Sequence, residues 1–393
     1  MPRQPQLPHP SAHTVGVVGA LVGLAAAGTA AGVALTRIAR RRLAVGGPRP
    51  ADLAAVPDAE LRASDPLGPD ARRADRSAAV LADDGVLLDV EEVGPPDAPL
   101  TVVFVHGYTL SMGSWAFQRR TLGAQLATAN GHRPAARLVF YDQRGHGGSG
   151  RGPSEHSTID QLARDLAAVL EARVPRGPIV LVGHSMGGMT VMGLAAERPE
   201  LFGTRVVGAA LLSTSSGNLA DLTFGLPEFL TRVRAAVLPI AAWTMRRRPA
   251  IAEGTRRAAA DLISVVTRSL SFASPDVDPA LVHYVDAMIA GTPVDVIAEF
   301  YPALAGLDGT GALEPLRRVP TLVLTGDADR MIPEEHSELI VERLREGGEG
   351  RVEFVVVPGA GHMVLLEKPD VVDEALVALL RRVGAVHAAS AQG

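Results

Sequence analysis

Ser185 stands where a serine can become a nucleophile. It lies in Val180-Leu-Val-Gly-His-Ser185-Met-Gly187-Gly188, an apolar run, then Gly-x-Ser-x-Gly, then a helical pattern. A strand that turns sharply into a helix lifts the serine oxygen above a sheet, and glycines beside it remove side chains that would strike neighbouring backbone. The amino end of the helix favours negative charge at that spot. With 41 glycines in 393 residues, the pentapeptide alone arises by chance about 0.2 times, so its placement between strand and helix carries the reading. A serine needs a base, and eleven histidines compete for that role. His362 follows the last apolar run in the glycine-containing loop Gly359-Ala-Gly-His362, so it can reach the same end of a sheet. It also allows the chain order serine, acid, histidine. His106 and His184 beside glycines, and His146 in a glycine-rich loop, read as structural. Two aspartates, Asp327 and Asp329, follow the 319–325 run as candidate acids. The acid would hold the imidazole in its productive tautomer and stabilise the imidazolium without taking its proton. The backbone N–H of Met186, the residue after the serine, would face the developing oxyanion.

Such groups need a frame. Ala78–Leu81 and Val86–Val93 flank Asp84-Gly85, a favoured hairpin turn. Short apolar runs recur at Leu100–Val105, Arg137–Tyr141, Pro178–Val182, Val206–Leu212, Val319–Thr325 and Val352–Val357. They fit parallel strands buried on both faces. Helical spacing separates them at Trp115–Thr128, Ile159–Arg173, Met189–Arg198, Glu335–Arg345 and Val371–Arg382. The alternation predicts an α/β fold: a mostly parallel sheet with helices on both faces. From about 217 to 313 no strand run occurs, and segments such as Pro279–Ile289 and Val294–Leu304 look helical. A helical cap inserted there would roof the carboxyl ends of the strands, where open α/β sheets bind ligands.

Several separated motifs resemble the α/β-hydrolase superfamily, in the branch whose nucleophile motif reads Gly-His-Ser-Met-Gly-Gly. Phe104-Val-His-Gly-Tyr108 is similar to its oxyanion loop, and Tyr141-Asp-Gln-Arg-Gly-His-Gly-Gly-Ser149 to its Asp-x-Arg-Gly-x-Gly-x-Ser segment. Leu324-Thr-Gly-Asp-Ala-Asp-Arg-Met-Ile-Pro333 resembles its acid loop and Gly359–His362 its histidine loop. The resemblance covers roughly residues 78–386 apart from the insertion. It implies Asp329 as the acid, since Gly326 and Pro333 bracket it, and the Tyr108 N–H as the second oxyanion donor. Relatives that open epoxides or cleave carbon–halogen bonds carry aspartate where Ser185 stands, which disfavours those activities here.

A serine with a histidine base favours acyl transfer to water. The expectation is an esterase or lipase-like hydrolase of a small-molecule acyl substrate, with no cofactor. A peptidase, a carbon–carbon bond hydrolase and a cofactor-free peroxidase on the same residues are the alternatives, and a non-catalytic binding module is a further one. Leu226, Phe229, Trp243, Met288 and Phe300 would line an apolar acyl pocket, or else pack the insertion onto the body. No His-Glu-x-x-His or comparable spacing suggests a metal. A net charge of −5 and only 4% aromatics argue against nucleic acid as a partner. With no cysteine, disulfides and thiolate catalysis are excluded.

The amino-terminal 42 residues differ in kind. Residues 14–36 lack charged side chains and as a helix would span roughly 34 Å, enough for a hydrocarbon core. Arg37, Arg40, Arg41 and Arg42 follow, against Arg3 before. That bias predicts a membrane anchor with the catalytic domain on the cytoplasmic side; an export signal or a soluble tail are the alternatives. Residues 43–77 read as a linker, 78–386 as the hydrolase domain and 387–393 as a tail.

Overall fold

Side chains of a strand alternate between two faces, so a strand buried on both sides must be apolar throughout. The computed structural model describes residues 74–131, 133–219, 267–346 and 351–390. They form one eight-stranded sheet: β1 (Arg76–Leu81), β2 (Leu87–Val93), β3 (Leu100–Val105), β4 (Ala136–Tyr141), β5 (Ile179–His184), β6 (Val206–Leu212), β7 (Thr321–Gly326) and β8 (Val352–Val357). The order is β1-β2-β4-β3-β5-β6-β7-β8. Every residue of β3, β5 and β7 is buried. β1 and β2 pair antiparallel at one edge, and β2 joins β4 antiparallel; the remaining pairs are parallel. Burial alternates along β1 and β2, as one solvated face requires. Gly85 turns the hairpin at φ 86°.

The main helices are α1 (Ala116–Gln125), α2 (Ile159–Arg173), α3 (Met186–Glu197), α4 (Pro279–Gly291), α5 (Val294–Ala305), α6 (Glu334–Arg345) and α7 (Pro369–Ser390). Alternation sorts the core into two layers. Phe104, Val182 and Leu324 face Leu122 of α1 and Leu380 of α7. Val103, Leu181 and Val323 face Leu166 of α2, Met189 of α3 and Ile340 of α6. Each such side chain contributes about 1.5–3 kcal/mol by leaving water. In α2 the local signals agree. Thr158 caps it by accepting from Gln161 N at 3.1 Å, and Ile159, Leu162, Leu166 and Val169 place one apolar stripe inward.

Several boundaries differ from the sequence reading. α3 begins at Met186 rather than Met189. Gly187 and Gly188 suggest a turn, yet they form the first helical turn, and both positions call for glycine because there is no room for side chains there. A Cβ on Gly187 would lie 2.1 Å from the Val105 carbonyl oxygen, and one on Gly188 2.6 Å from Thr214 Oγ1. α7 continues to Ser390, into the stretch read as a tail, and β1 begins at Arg76, inside the stretch read as linker. The described part of 217–313 holds α4 and α5 and no strand, only an isolated bridge between Gly217 and Asp308. These two helices meet at 93° across Thr292-Pro293. Tyr284 Oη donates to Gly113 O at 2.8 Å, Thr292 Oγ1 to Thr109 O at 3.2 Å, and Arg151 pairs with Asp295 and Glu299 at 2.5 and 2.9 Å. α4 and α5 therefore lie against the loops that leave the carboxyl ends of β3 and β4. Residues 14–36 lie outside the described residues; among those described, no single helix is long and apolar enough to cross a membrane.

Candidate active site

Ser185 sits between β5 and α3 with φ 53° and ψ −121°, a region that costs a non-glycine residue about 1–3 kcal/mol and persists only when its surroundings over-determine it. Here they do. Ser185 N donates to Leu212 O at 2.9 Å, Thr214 Oγ1 donates to Ser185 O at 2.7 Å, and Gly188 N donates to the same oxygen at 2.9 Å. A Cβ on Gly183 would lie 2.5 Å from Gly187 O, so the turn needs glycine at that position.

Asp329 and His362 sit on the loops after β7 and β8. His362 Nε2 lies 3.0 Å from Ser185 Oγ, and its Nδ1 lies 2.8 Å from Asp329 Oδ2. Both side chains are buried. A carboxylate only accepts, so Nδ1 carries the proton and the Nε2 lone pair faces the serine hydroxyl. Asp329 Oδ1 accepts from Met331 N and Ile332 N, each at 2.9 Å, which fixes the carboxylate plane. Geometry separates the two aspartates. Asp327 is exposed and accepts from Gly359 N at 2.7 Å, tying the acid loop to the histidine loop from outside.

Met186 follows the serine, and Tyr108 follows Gly107 on the loop that approaches it. Met186 opens α3, where an N–H has no carbonyl partner within the helix. The loop bearing Tyr108 closes on the serine so tightly that a Cβ on Gly107 would lie 3.1 Å from Ser185 Cβ. The Tyr108 hydroxyl donates to Ile297 O of α5, a contact between the loop after β3 and the helical segment that no local pattern announces.

The other histidines of this rim are held neutral. Burial pushes His106 down to about 4 and His146 to about 3, and takes His184 well below the ordinary histidine range. His106 Nε2 accepts from Gln143 N at 2.9 Å, while His184 Nε2 donates to His362 O at 2.9 Å. Gln143 was invisible as a side chain in the motif. Its Nε2 donates to His106 O at 2.7 Å and its Oε1 accepts from Thr190 Oγ1 of α3 at 2.7 Å, so one amide joins the loop after β3 to the helix behind the serine. The Tyr141–Ser149 segment is otherwise a scaffold. Asp142 accepts from Met112 N at 2.6 Å and Gly148 N at 2.7 Å, and Arg144 forks onto Asp165 and Asp84.

Of the residues expected to line an acyl pocket, Leu226, Phe229 and Trp243 lie outside the described residues. Met288 is half-buried against the core layer that holds Trp115 and Met363. Phe300 is buried with its ring centroid 5.7 Å from that of His146.

Comparison with known proteins agrees with this frame. The chain is similar to the dihydrolipoyllysine-residue acetyltransferase component of the acetoin cleaving system of Pseudomonas putida, with 27% identity over 72% of this chain; it spans 63% of that protein's length. It is similar to a non-heme chloroperoxidase of Burkholderia pyrrocinia, with 27% identity over 77% of this chain and 99% of the relative. Among solved structures, a thermophilic esterase from Thermogutta terrifontis superposes with a TM-score of 0.59 at 27% identity, covering 79% of this chain and 99% of the esterase. The model of the alpha/beta hydrolase family matches residues 102–375, from β3 to the second turn of α7, and this chain therefore belongs to the alpha/beta hydrolase family.

Proposed function

We propose that the chain is a serine hydrolase of carboxylic esters, with Ser185 as nucleophile, His362 as base and Asp329 as orienting acid. The 3.0 Å approach of Ser185 Oγ to His362 Nε2, backed by the 2.8 Å contact to Asp329, carries this reading. Oγ attacks the acyl carbon as its proton moves to Nε2, and the Asp329 carboxylate stabilises the imidazolium. The backbone N–H groups of Tyr108 and Met186 serve the oxyanion, each worth about 10²–10³ in rate. His362 then protonates the departing alkoxide, and water, deprotonated by the same imidazole, releases the acid.

The helical segment between β6 and β7 acts as a cap, and an apolar acyl ester is the substrate class. The apolar residues of that segment support this choice. The test is fluorophosphonate labelling of wild type and Ser185→Ala, followed by rates on p-nitrophenyl esters of increasing chain length. Wild type labels and the variant does not, with Ser185→Ala hydrolysing at least about 10⁴-fold more slowly; equal labelling of the two sinks the reading. The chloroperoxidase relative favours a second reading, peroxide-dependent halide oxidation on the same serine. Halogenation without ester turnover would select it. Residues 14–36 serve as a membrane anchor with the catalytic body cytoplasmic; release of the full-length chain by carbonate washing of membranes would refute that.

A further inference from the structure

Glu367 lies five residues beyond His362, at the end of the short helix Val364–Glu367. Its carboxylate gathers three backbone N–H groups. Gly361 N donates to Oε2 at 2.7 Å, Ala273 N to Oε1 and Oε2 at 3.1 and 3.2 Å, and Ser274 N to Oε1 at 3.1 Å. Gly361 is the residue before His362. Ala273 and Ser274 belong to the segment between β6 and β7, 94 and 93 positions away in the chain. Hydrogen bonds from N–H to an ionised carboxylate are among the stronger ones a protein makes.

The contact is not confined to one carboxylate. A Cβ on Gly361 would lie 2.7–2.9 Å from backbone atoms of Ala273 and Phe272, so the two backbones touch directly. Met363 N, on the other side of His362, donates to Ser271 O at 2.8 Å. Arg330, next to Asp329, donates from Nη1 to Ser269 O at 2.8 Å. Phe272 is buried in the core layer with Met363 and Leu365. Residues 269–274 thus run behind both the acid loop and the histidine loop.

We infer that Glu367 is a positioning residue: by fastening Gly361 to residues 273–274 it makes the helical segment a splint that aims His362 at Ser185. The inference rests on the hydrolase reading above. A displacement of about 1 Å at a reacting group can cost about 10² in rate, and nothing else named here ties Gly361 N to the segment.

The test compares full-length wild type, Glu367→Ala, Glu367→Gln and the exposed neighbour Lys368→Ala. Rates on a p-nitrophenyl ester and fluorophosphonate labelling are measured well below each melting temperature. In Glu367→Ala, kcat falls about 10- to 100-fold while KM stays within about threefold, and the labelling rate falls with kcat. Glu367→Gln keeps one acceptor and turns an NH₂ toward an N–H, so it loses less; if the alanine variant does not fold, a kcat loss of at least about fivefold in Glu367→Gln carries the test. Lys368→Ala is unchanged. Full kcat in folded Glu367→Ala, or an equal loss in Lys368→Ala, overturns the inference alone. Absence of labelling in wild type removes the hydrolase reading and this inference with it.

Discussion

Arg144 and His362 are both buried, both bonded to carboxylates, and both carried on loops that follow strands of the parallel sheet. Their surroundings are finished differently. Arg144 Nε and Nη2 donate to the two oxygens of Asp165 at 2.6 Å, while Nη1 and Nη2 donate to Asp84 at 2.7 and 3.1 Å. That network is closed, with four carboxylate oxygens matched to the planar fork. At His362 one nitrogen is committed to Asp329, and the other meets only the hydroxyl of a serine held at φ 53°. A closed network adds rigidity to the loop that bears it. An open one leaves an imidazole nitrogen facing a lone hydroxyl, and the strained serine shows that stability is given up there.

The contrast can be broken most sharply at its open end. Asp329→Asn leaves the fold intact and lowers kcat about 10⁴-fold, since an amide no longer holds the imidazole in the productive tautomer. An ester assay with circular dichroism checks this, and a variant retaining a tenth of wild-type rate would mean that the two networks do not differ as described. Arg144→Met tests the closed end. It strands the buried Asp165 carboxylate and costs about 3–5 kcal/mol in urea unfolding, while kcat of the folded fraction is unchanged.

The smallest effect belongs to the buried histidines beside the serine. Burial depresses His106, His146 and His184 in the folded chain, whereas in the unfolded chain they titrate near 6.5. Below that value the unfolded chain binds protons that the folded chain refuses. Their contribution is therefore present above about pH 6.5 and is lost as pH falls toward about 4. Three such groups predict a loss of about 2 kcal/mol between pH 7 and pH 6, read as a fall in the urea midpoint. A flat profile would show that these histidines do not stay neutral on folding.

Much of the frame is legible before any coordinates. The runs Leu100–Val105, Val206–Leu212 and Val352–Val357 have the same ends in sequence and structure, because each is a short, mostly apolar run of the kind a sheet strand requires. Ser185 and His362 announce themselves by glycines beside strand ends. The onset of α3 does not, since a glycine pair reads as a turn unless the crowding by Val105 and Thr214 is known. Gln143 and Glu367 are equally mute. A hydrogen bond between residues 47 or 94 positions apart leaves no periodicity in either segment. Leu226, Phe229 and Trp243 lie outside the described residues, so the acyl pocket is still an expectation drawn from their apolar character.

Local chemistry in the chain decided the strand runs, the helical stripes, the Gly-x-Ser-x-Gly turn and the glycine-flanked histidine, because each depends on neighbours within a few residues. Tertiary structure alone set Asp329 2.8 Å from His362 while leaving Asp327 exposed, held His106, His146 and His184 neutral, and laid residues 269–274 behind His362. Those outcomes depend on distances across the sheet rim and on exclusion of water. Both are properties of packing, to which residues far apart in the chain contribute together.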